Sequence, residues 1–247
     1  MKEIQRILSY VRRAVSDYRM IEDGDRVCVG VSAGKDSLTL LIALHELQRF
    51  YEKKFTICAA TVDLGFPDAD YGEIKELCRR LGIEYRVVNT EIGKVVFDIR
   101  KESNPCSLCA KMRRGALHVA AQEMGCNRVA LGHHFDDAVE TFMLNLFYEG
   151  RIGCFSPVSY LSNRRLYLIR PMVYVPEKAV RYFANRVELP VAASKCPANG
   201  NTERERMKVL LRELEKENKG LRHRIFGAMQ RGKVDGFTDV GRMPNDD

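Results

Sequence analysis

The pattern of apolar and polar positions alternates between two periods along most of the chain. Short apolar runs typical of buried strands recur five times, at 26–31, 56–63, 84–89, 127–132 and 166–170. Stretches with apolar residues at helical spacing flank or separate them, at 3–20, 36–50, 71–81, 107–124 and 136–149. This alternation predicts an α/β fold, with a parallel sheet covered by helices on both faces.

The pattern changes after about residue 195. Residues 202–217 are highly charged with a weak apolar stripe, and residues 220–231 have the spacing of another helix. We therefore expect three parts: an N-terminal helix over 1–24, an α/β domain over 25–195 and a C-terminal helical extension over 196–247.

Composition restricts the class of protein. The chain has 247 residues, of which 45% are hydrophobic, but no apolar run reaches the roughly 18–20 residues of a membrane helix. The N-terminus is too charged for a signal peptide, so we expect a cytoplasmic protein without a membrane partner. The net charge is +7, and residues 151–186 contain seven Lys or Arg against one acid, Glu177. This excess indicates a polyanion such as nucleic acid, with Arg164 and Arg165 as candidate contacts; the alternative is a solvated basic face.

The first candidate site is the turn Val31-Ser32-Ala33-Gly34-Lys35-Asp36-Ser37, which joins a predicted strand to a predicted helix. Free backbone N–H groups at a helix N-terminus bind anions. Ser32 and Ser37 add hydroxyl donors, Lys35 adds charge, and Gly34 allows a phosphate to approach the backbone. The simpler alternative is an ordinary strand–turn–helix with Ser32 as the N-cap.

A second turn, Gly132-His133-His134-Phe135-Asp136-Asp137, also follows a strand and opens a helix. Because ligands of parallel sheets bind at the carboxyl ends of the strands, both turns and Asp63 should meet there. Adjacent acids beside a phosphate site can hold Mg²⁺ or can simply cap the helix.

The cysteines offer several chemistries. Cys106 and Cys109 form a C-x-x-C pair, and Cys196 supplies a distant third thiol. A redox pair, a zinc site and an iron–sulfur cluster all remain open on spacing alone, although zinc usually needs four protein ligands. Cys28, Cys58 and Cys78 lie in apolar patterns typical of packing residues.

The combination of motifs resembles a known family. The turn at 32–37 is similar to the S-G-G-x-D-S loop of the N-type ATP pyrophosphatases (PP-loop enzymes), with Ala33 at the first glycine position. Pro105–Cys109 with Arg113-Arg114-Gly115, Leu131–Asp137, Ile169-Arg170-Pro171-Met172 and Cys196 follow in order. Together they resemble the tRNA 2-thiocytidine synthetase family from about residue 25 to about residue 230.

The resemblance implies roles for individual residues. Cys106, Cys109 and Cys196 would hold a [4Fe–4S] cluster, leaving one iron open, and Asp137 and Arg113 would join Lys35 as catalytic residues. Asp36 and Asp137 are the candidate Mg²⁺ ligands. The expected nucleotide-binding residues are Val31, Ser32, Ala33, Gly34, Lys35, Asp36, Ser37, Asp63, Gly132 and His133.

The implied activity is ATP-dependent sulfur transfer to C2 of a tRNA cytidine, expected at position 32. The partners would be tRNA, ATP, and a cysteine desulfurase or inorganic sulfide as sulfur donor, and a homodimer is compatible with them. Two alternatives remain: a ligase resembling tRNA-lysidine synthetase, which needs no cluster, and a nucleotide-binding iron–sulfur redox sensor.

Overall fold

A computed structural model describes residues 4–67, 69–100, 105–191 and 203–238. Its centre is a six-stranded sheet with the order β3-β2-β1-β4-β6-β5. The strands are β1 (Arg26–Gly30), β2 (Thr56–Asp63), β3 (Glu84–Asn89), β4 (Arg128–Ala130), β5 (Val158–Leu161) and β6 (Leu166–Ile169). The predicted α/β fold is confirmed, with one correction: the edge strand β5 runs antiparallel to β6, whereas the other pairs are parallel.

Eight α-helices surround the sheet in the described part of the chain. They are α1 (Gln5–Asp17), α2 (Lys35–Leu47), α3 (Gly72–Arg80), α4 (Pro105–Glu123), α5 (Phe135–Tyr148), α6 (Glu177–Arg186), α7 (Glu203–Glu217) and α8 (Leu221–Arg231). A short π-helix covers Lys94–Arg100, and a 3-10 turn covers Val234–Gly236. None of these described helices has the length and apolar character needed to cross a bilayer.

The alternation of side chains along each strand divides the core between the two faces of the sheet. Val27 and Val29 of β1 join the larger cluster, which includes residues of α1, α2 and α5, whereas Cys28 joins the cluster beneath α4. Cys58 and Cys126 lie in the same cluster as Cys28, with their Sγ atoms 3.2 Å apart. Burial raises the pKa of Cys78 to about 11, which is consistent with a packing role for that thiol.

Close packing places α4 over the end of β1. A Cβ atom at Gly30 would lie only 2.7 Å from Leu117 Cδ2, so glycine allows this helix to approach the sheet. α4 carries Cys106 and Cys109 in its first turns and Arg113 and Arg114 further along. The cysteine pair and these two arginines are therefore presented by one rigid element.

The C-terminal helices belong to the main core. Met207 and Leu211 of α7 and Phe226 and Met229 of α8 are buried in the same cluster as the α1 and α2 side chains. Both helices pack against α5. α7 and α8 are thus fixed against α5, the helix that follows the turn at 132–137. Cys196 lies outside the described residues.

Candidate active site

The first turn, at residues 31–37 where β1 leads into α2, is held by hydrogen bonds among its own residues. Ser37 Oγ accepts from the Ser32 amide at 3.0 Å and donates to the Gly34 carbonyl oxygen at 3.0 Å. α2 begins at Lys35 with Gly34 as its N-cap and without a side-chain cap, so the alternative with Ser32 as the N-cap is wrong. A helix start without a side-chain cap keeps its amide groups available to an anion.

Ala33 carries the backbone strain of this turn. Its φ is +60°, in the left-handed region that costs an L-residue about 1–2 kcal/mol. The departure from the glycine of the family pattern therefore has a structural consequence. Gly34, in contrast, has an extended backbone with φ −86° and ψ 155°.

The second turn lies directly against the first. A Cβ atom at Gly132 would be 3.1 Å from the Asp36 carbonyl carbon and from the Ser37 nitrogen, so only glycine fits without displacing the loop. His134 is the N-cap of α5: its Nδ1 accepts from the Asp137 amide at 3.2 Å, and Asp137 Oδ2 accepts from the His134 amide at 2.9 Å. His134 Nε2 is 3.8 Å from Asp36 Oδ1, so this imidazole lies between the two carboxylates.

The two turns and α4 enclose a cleft of about 570 Å³. This is within the usual size range of small-molecule sites. Its lining is Gly30, Val31, Ser32, Asp36, Ser37, Ala60, Val62, Ala110, Arg113, Arg114, Leu117, Leu131, Gly132, His133, Asp137, Thr141, Phe155, Arg170 and Arg204. The lining contains four arginines and two carboxylates, so the cleft has a net positive charge that suits a phosphate ligand.

The structure brings many of the predicted residues together in this cleft. Val31, Ser32, Asp36, Ser37, Arg113, Gly132, His133 and Asp137 all line it, whereas Ala33, Gly34, Lys35 and Asp63 are outside the lining. Asp63 Oδ1 instead accepts from the Gly65 amide at 3.0 Å and from the Tyr71 hydroxyl at 3.3 Å, which organises the turn after β2.

Lys35 points to the buried carboxylate of Glu177, to which the sequence analysis assigned no role in the site. Its Nζ is 3.0 Å from Asp36 Oδ1 and 3.3 Å from Glu177 Oε1. Burial alone would lower the pKa of Lys35, but Asp36 and Glu177 outweigh it and raise the pKa. Glu177 also contacts Arg181 and Lys208. Burial would raise the pKa of Glu177, but Lys208, Lys35 and Arg181 hold it at about 2.

The two adjacent aspartates of the second turn differ in their surroundings. Asp136 Oδ1 is 2.7 Å from Arg222 Nη1, and its Oδ2 accepts from the Glu177 amide at 2.7 Å. Asp136 therefore joins α5, α6 and α8. Asp137 keeps one oxygen in its own helix cap and presents the other to the cleft, 3.5 Å from Arg204 Nη1.

His133 and Arg170 both contact the ring of one aromatic residue, Phe155. The His133 ring is 4.8 Å from the Phe155 ring, and the Arg170 guanidinium is 4.9 Å from it. Burial lowers the pKa of His133 to about 4, so its imidazole is neutral at physiological pH. Its buried Nδ1 has no hydrogen-bond partner among the described residues. Burial also lowers the pKa of Arg170 to about 10, which still leaves it charged.

The cysteine pair occupies the beginning of α4. Cys106 is exposed, whereas Cys109, one turn later on the same side of the helix, is buried with Ile92 and Val96. Within the described residues, no group of three or more His, Cys, Asp or Glu side chains is placed to hold a metal ion. Two thiols one helical turn apart fit part of a cluster site, and the predicted third, Cys196, lies outside the described residues.

Arg164 and Arg165 lie in the turn between β5 and β6, before β6 begins at Leu166. The cleft residue Arg170 follows the other end of β6. Arg164 donates from Nη1 to Gln122 Oε1 at 3.2 Å. The structure therefore places this arginine pair at the opposite end of the sheet from the cleft.

Comparison with known proteins agrees with this geometry. Residues 4–214 match the model of the PP-loop domain family. The tRNA-cytidine(32) 2-sulfurtransferases of Geobacter sulfurreducens and Pelobacter propionicus are each 40% identical over 228 residues. These alignments cover 91% of this chain and 89% and 85% of the relatives, respectively. The chain belongs to the tRNA-cytidine(32) 2-sulfurtransferase family of PP-loop proteins.

A solved structure extends the likeness to three dimensions. The U34-tRNA thiolase NcsA from Methanococcus maripaludis, solved with its [4Fe-4S] cluster, superimposes with a TM-score of 0.77 at 26% identity. The match covers 93% of this chain and 78% of that protein. The family expected from the motifs is therefore confirmed, and the fold is that of a tRNA-thiolating PP-loop protein.

Proposed function

We propose that this chain is an ATP-dependent tRNA sulfurtransferase that replaces the C2 oxygen of a tRNA cytidine, at position 32, with sulfur. The observation that carries the proposal is the cleft in which the open N-terminus of α2, Asp137 and the arginines of α4 meet. The first turn offers anion-binding amides, and α4 carries the cysteine pair on the same rigid element as Arg113 and Arg114. One cleft can therefore receive both a nucleotide and a base presented to the cysteine region.

ATP would bind with its phosphates against the first turn. The amides at the start of α2 and the hydroxyls of Ser32 and Ser37 supply donors, and the helix dipole favours negative charge there. Arg113 and Arg114 of α4 add positive charge to the same cleft. The adenine would lie toward Ala60 and Val62, near the end of β2 that precedes Asp63.

Asp36 and Asp137 fit Mg²⁺ as carboxylate ligands. Both line the cleft on either side of the His134 imidazole, and Mg²⁺ is usually held by one or two carboxylates together with phosphate oxygens. In the structure, Asp36 pairs with Lys35 and Asp137 pairs with Arg204, so both carboxylates already lie beside a positive charge.

The reaction would have two stages. The cytidine O2 attacks the α-phosphorus of ATP, pyrophosphate leaves, and the base carries an adenylated oxygen. A sulfur nucleophile then adds to C2 and AMP leaves with that oxygen. Charge building on the phosphates would be stabilised by the preorganised amides and arginines of the cleft. Neutral His133 lines the cleft, where its imidazole would contact a base or ribose without adding charge.

Cys106, Cys109 and Cys196 would hold a [4Fe–4S] cluster, whose remaining iron would be open to exogenous sulfide. Cys106 is exposed, and Cys109 lies among apolar side chains. This pair of environments fits a cluster that is held at the protein surface and can be reached by substrate. The sulfide would come from inorganic sulfide or from a cysteine desulfurase.

tRNA would bind through phosphate contacts to basic residues, with the target base unstacked from a single-stranded loop. Arg164 and Arg165 remain candidate contacts. Because they lie away from the cleft, they would contact tRNA at a distance from the target cytidine.

Cysteine substitutions test the proposal. Anaerobically purified or reconstituted protein should be brown and contain about four irons per chain. Cys106→Ala, Cys109→Ala and Cys196→Ala should each lose the colour and the sulfur transfer to tRNA. Cys78→Ala controls for loss of a buried thiol, Cys154→Ala controls for loss of a half-buried one, and both should keep the colour.

The alternatives give different results in the same experiment. A colourless protein that releases pyrophosphate with tRNA but incorporates no sulfur would favour a ligase resembling tRNA-lysidine synthetase. A brown protein without tRNA-dependent pyrophosphate release would favour a redox sensor. Retention of the full cluster in Cys196→Ala would contradict the ligand assignment alone.

A further inference from the structure

Arg204, the second residue of α7, lines the cleft from the C-terminal part of the chain. We infer that Arg204 binds the phosphates of the nucleotide, as a residue supplied to the site by the C-terminal helices. The inference rests on the proposed function, because it takes the ligand of the cleft to be ATP.

The partners of Arg204 lie on one side of α5. Its Nη2 donates to Thr141 Oγ1 at 3.0 Å, and its Nη1 is 3.5 Å from Asp137 Oδ1. Asp137 and Thr141 are four residues apart, so they share a helix face, and both line the cleft. The Arg204 guanidinium therefore lies beside the carboxylate proposed for Mg²⁺.

Arg204 keeps donors and space for a further ligand. A guanidinium has five N–H groups; Nη2 donates to Thr141, and Nη1 lies 3.5 Å from Asp137 Oδ1 and 4.0 Å from Glu140 Oε2, which leaves further N–H groups for a ligand. Its side chain is 44% exposed although it lies in the cleft, so part of it faces the open volume. A planar guanidinium can bind a phosphate through two parallel hydrogen bonds.

Two other cations at or near the cleft, Lys35 and Arg170, are already held by protein partners. Lys35 is directed to Asp36 and Glu177 and is outside the lining. Arg170 is buried, lies over Phe155 and donates to the Ser156 carbonyl. Arg113 and Arg114 line the cleft from α4, whereas Arg204 is a cleft-lining cation that lies beside Asp137.

The helix that carries Arg204, α7, is anchored by buried apolar side chains and by an ion pair. Met207 and Leu211 bury α7 in the main core, and Lys208 Nζ is 2.9 Å from Glu177. Glu177 also holds Lys35 at the start of α2. α7, which carries Arg204, and α2, which follows the first turn, are thus anchored to the same carboxylate, that of Glu177. This shared anchor fixes the position of the guanidinium relative to the phosphate-binding amides.

The test compares two arginines of α7. Arg206 is exposed and pairs with Glu203 on the solvent side, so Arg206→Gln is the matched control for Arg204→Gln. The affinity of the anaerobically prepared, cluster-containing protein for α,β-methylene ATP should fall roughly 10- to 100-fold in Arg204→Gln, from the loss of charged hydrogen bonds. It should stay within about twofold of wild type in Arg206→Gln, as expected for an exposed ion pair.

Adenosine and a conservative variant separate phosphate binding from a structural role. Adenosine has no phosphate, so its affinity should be the same in wild type and Arg204→Gln. Arg204→Lys keeps the charge without the planar fork, and we expect an intermediate loss of analogue affinity; this variant carries the test if Arg204→Gln does not fold. Unchanged analogue affinity in a folded Arg204→Gln would overturn the inference and leave the proposed function standing. Wild-type protein that binds no analogue would overturn the proposed function as well.

Discussion

The two turns that form the cleft have the same topology and opposite local chemistry. Each joins a strand to a helix at the carboxyl edge of the sheet. The first begins α2 without a side-chain cap and with a left-handed residue, Ala33, whereas the second begins α5 with a complete capping box between His134 and Asp137. An uncapped helix start can bind an anion, and a capped one cannot offer the same amides. The first turn is therefore suited to hold phosphate, and the second to present a carboxylate beside it.

The largest effect expected from this comparison concerns Ser37. Ser37→Ala removes the acceptor for the Ser32 amide and the donor to the Gly34 carbonyl, and also a hydroxyl that can reach phosphate. We expect tRNA-dependent pyrophosphate release to fall by about a hundredfold or more. Ser159→Ala, on the edge strand β5, is the control and should leave the rate unchanged. A near-wild-type rate in Ser37→Ala would remove the functional distinction between the turns.

The two adjacent aspartates of the second turn, Asp136 and Asp137, should affect stability and rate differently. Asp136→Asn should lower the free energy of unfolding by about 2–3 kcal/mol, because it weakens a shielded ion pair with Arg222 and leaves that charge undercompensated. Asp137→Asn can keep the helix cap, so its stability should change by less than about 1 kcal/mol. Its rate of pyrophosphate release should nevertheless fall about a hundredfold.

Denaturant unfolding and pyrophosphate release, measured on both variants, check this separation. The opposite pattern, with a stable but inactive Asp136→Asn and a destabilised but active Asp137→Asn, would reverse the assignment of the two carboxylates.

The smallest expected effect is at Ala33. Ala33→Gly relieves the left-handed strain and should raise the free energy of unfolding by about 1 kcal/mol, which corresponds to an increase in Tm of about 2–4 °C. Thermal unfolding followed by circular dichroism measures it. A decrease in Tm would show that the alanine conformation is not strained in the folded protein.

Both turns could be predicted from sequence because their chemistry is local. Strand, turn and helix signals follow one another within a dozen residues, and the order of such units indicates the parallel sheet. β5 was missed because it is only four residues long and half exposed, so it has no buried run to detect. α6 does carry a sequence signal, an amphipathic stretch that begins after Pro176, but no apolar strand run follows it to mark another strand–helix unit.

Residues with partners far along the chain could not be assigned in this way. The direction of Lys35 depends on Glu177, and the place of Arg204 depends on the packing of α7 against α5. The motif Ile169-Arg170-Pro171-Met172 is visible in the sequence, whereas the contact between Arg170 and Phe155 is not. Such side chains need the tertiary packing, because their roles come from which helices meet.

A single anaerobic reaction that follows both sulfur and ATP tests whether ATP cleavage is coupled to sulfur transfer. Cluster-containing protein is incubated anaerobically with unmodified tRNA, ATP, Mg²⁺ and sulfide, and 2-thiocytidine, AMP and pyrophosphate are quantified together. One 2-thiocytidine is expected for each AMP and each pyrophosphate, with the formation of all three products reduced about a hundredfold or more in Ser37→Ala. AMP and pyrophosphate formed from tRNA without any sulfur in the base would contradict this coupling.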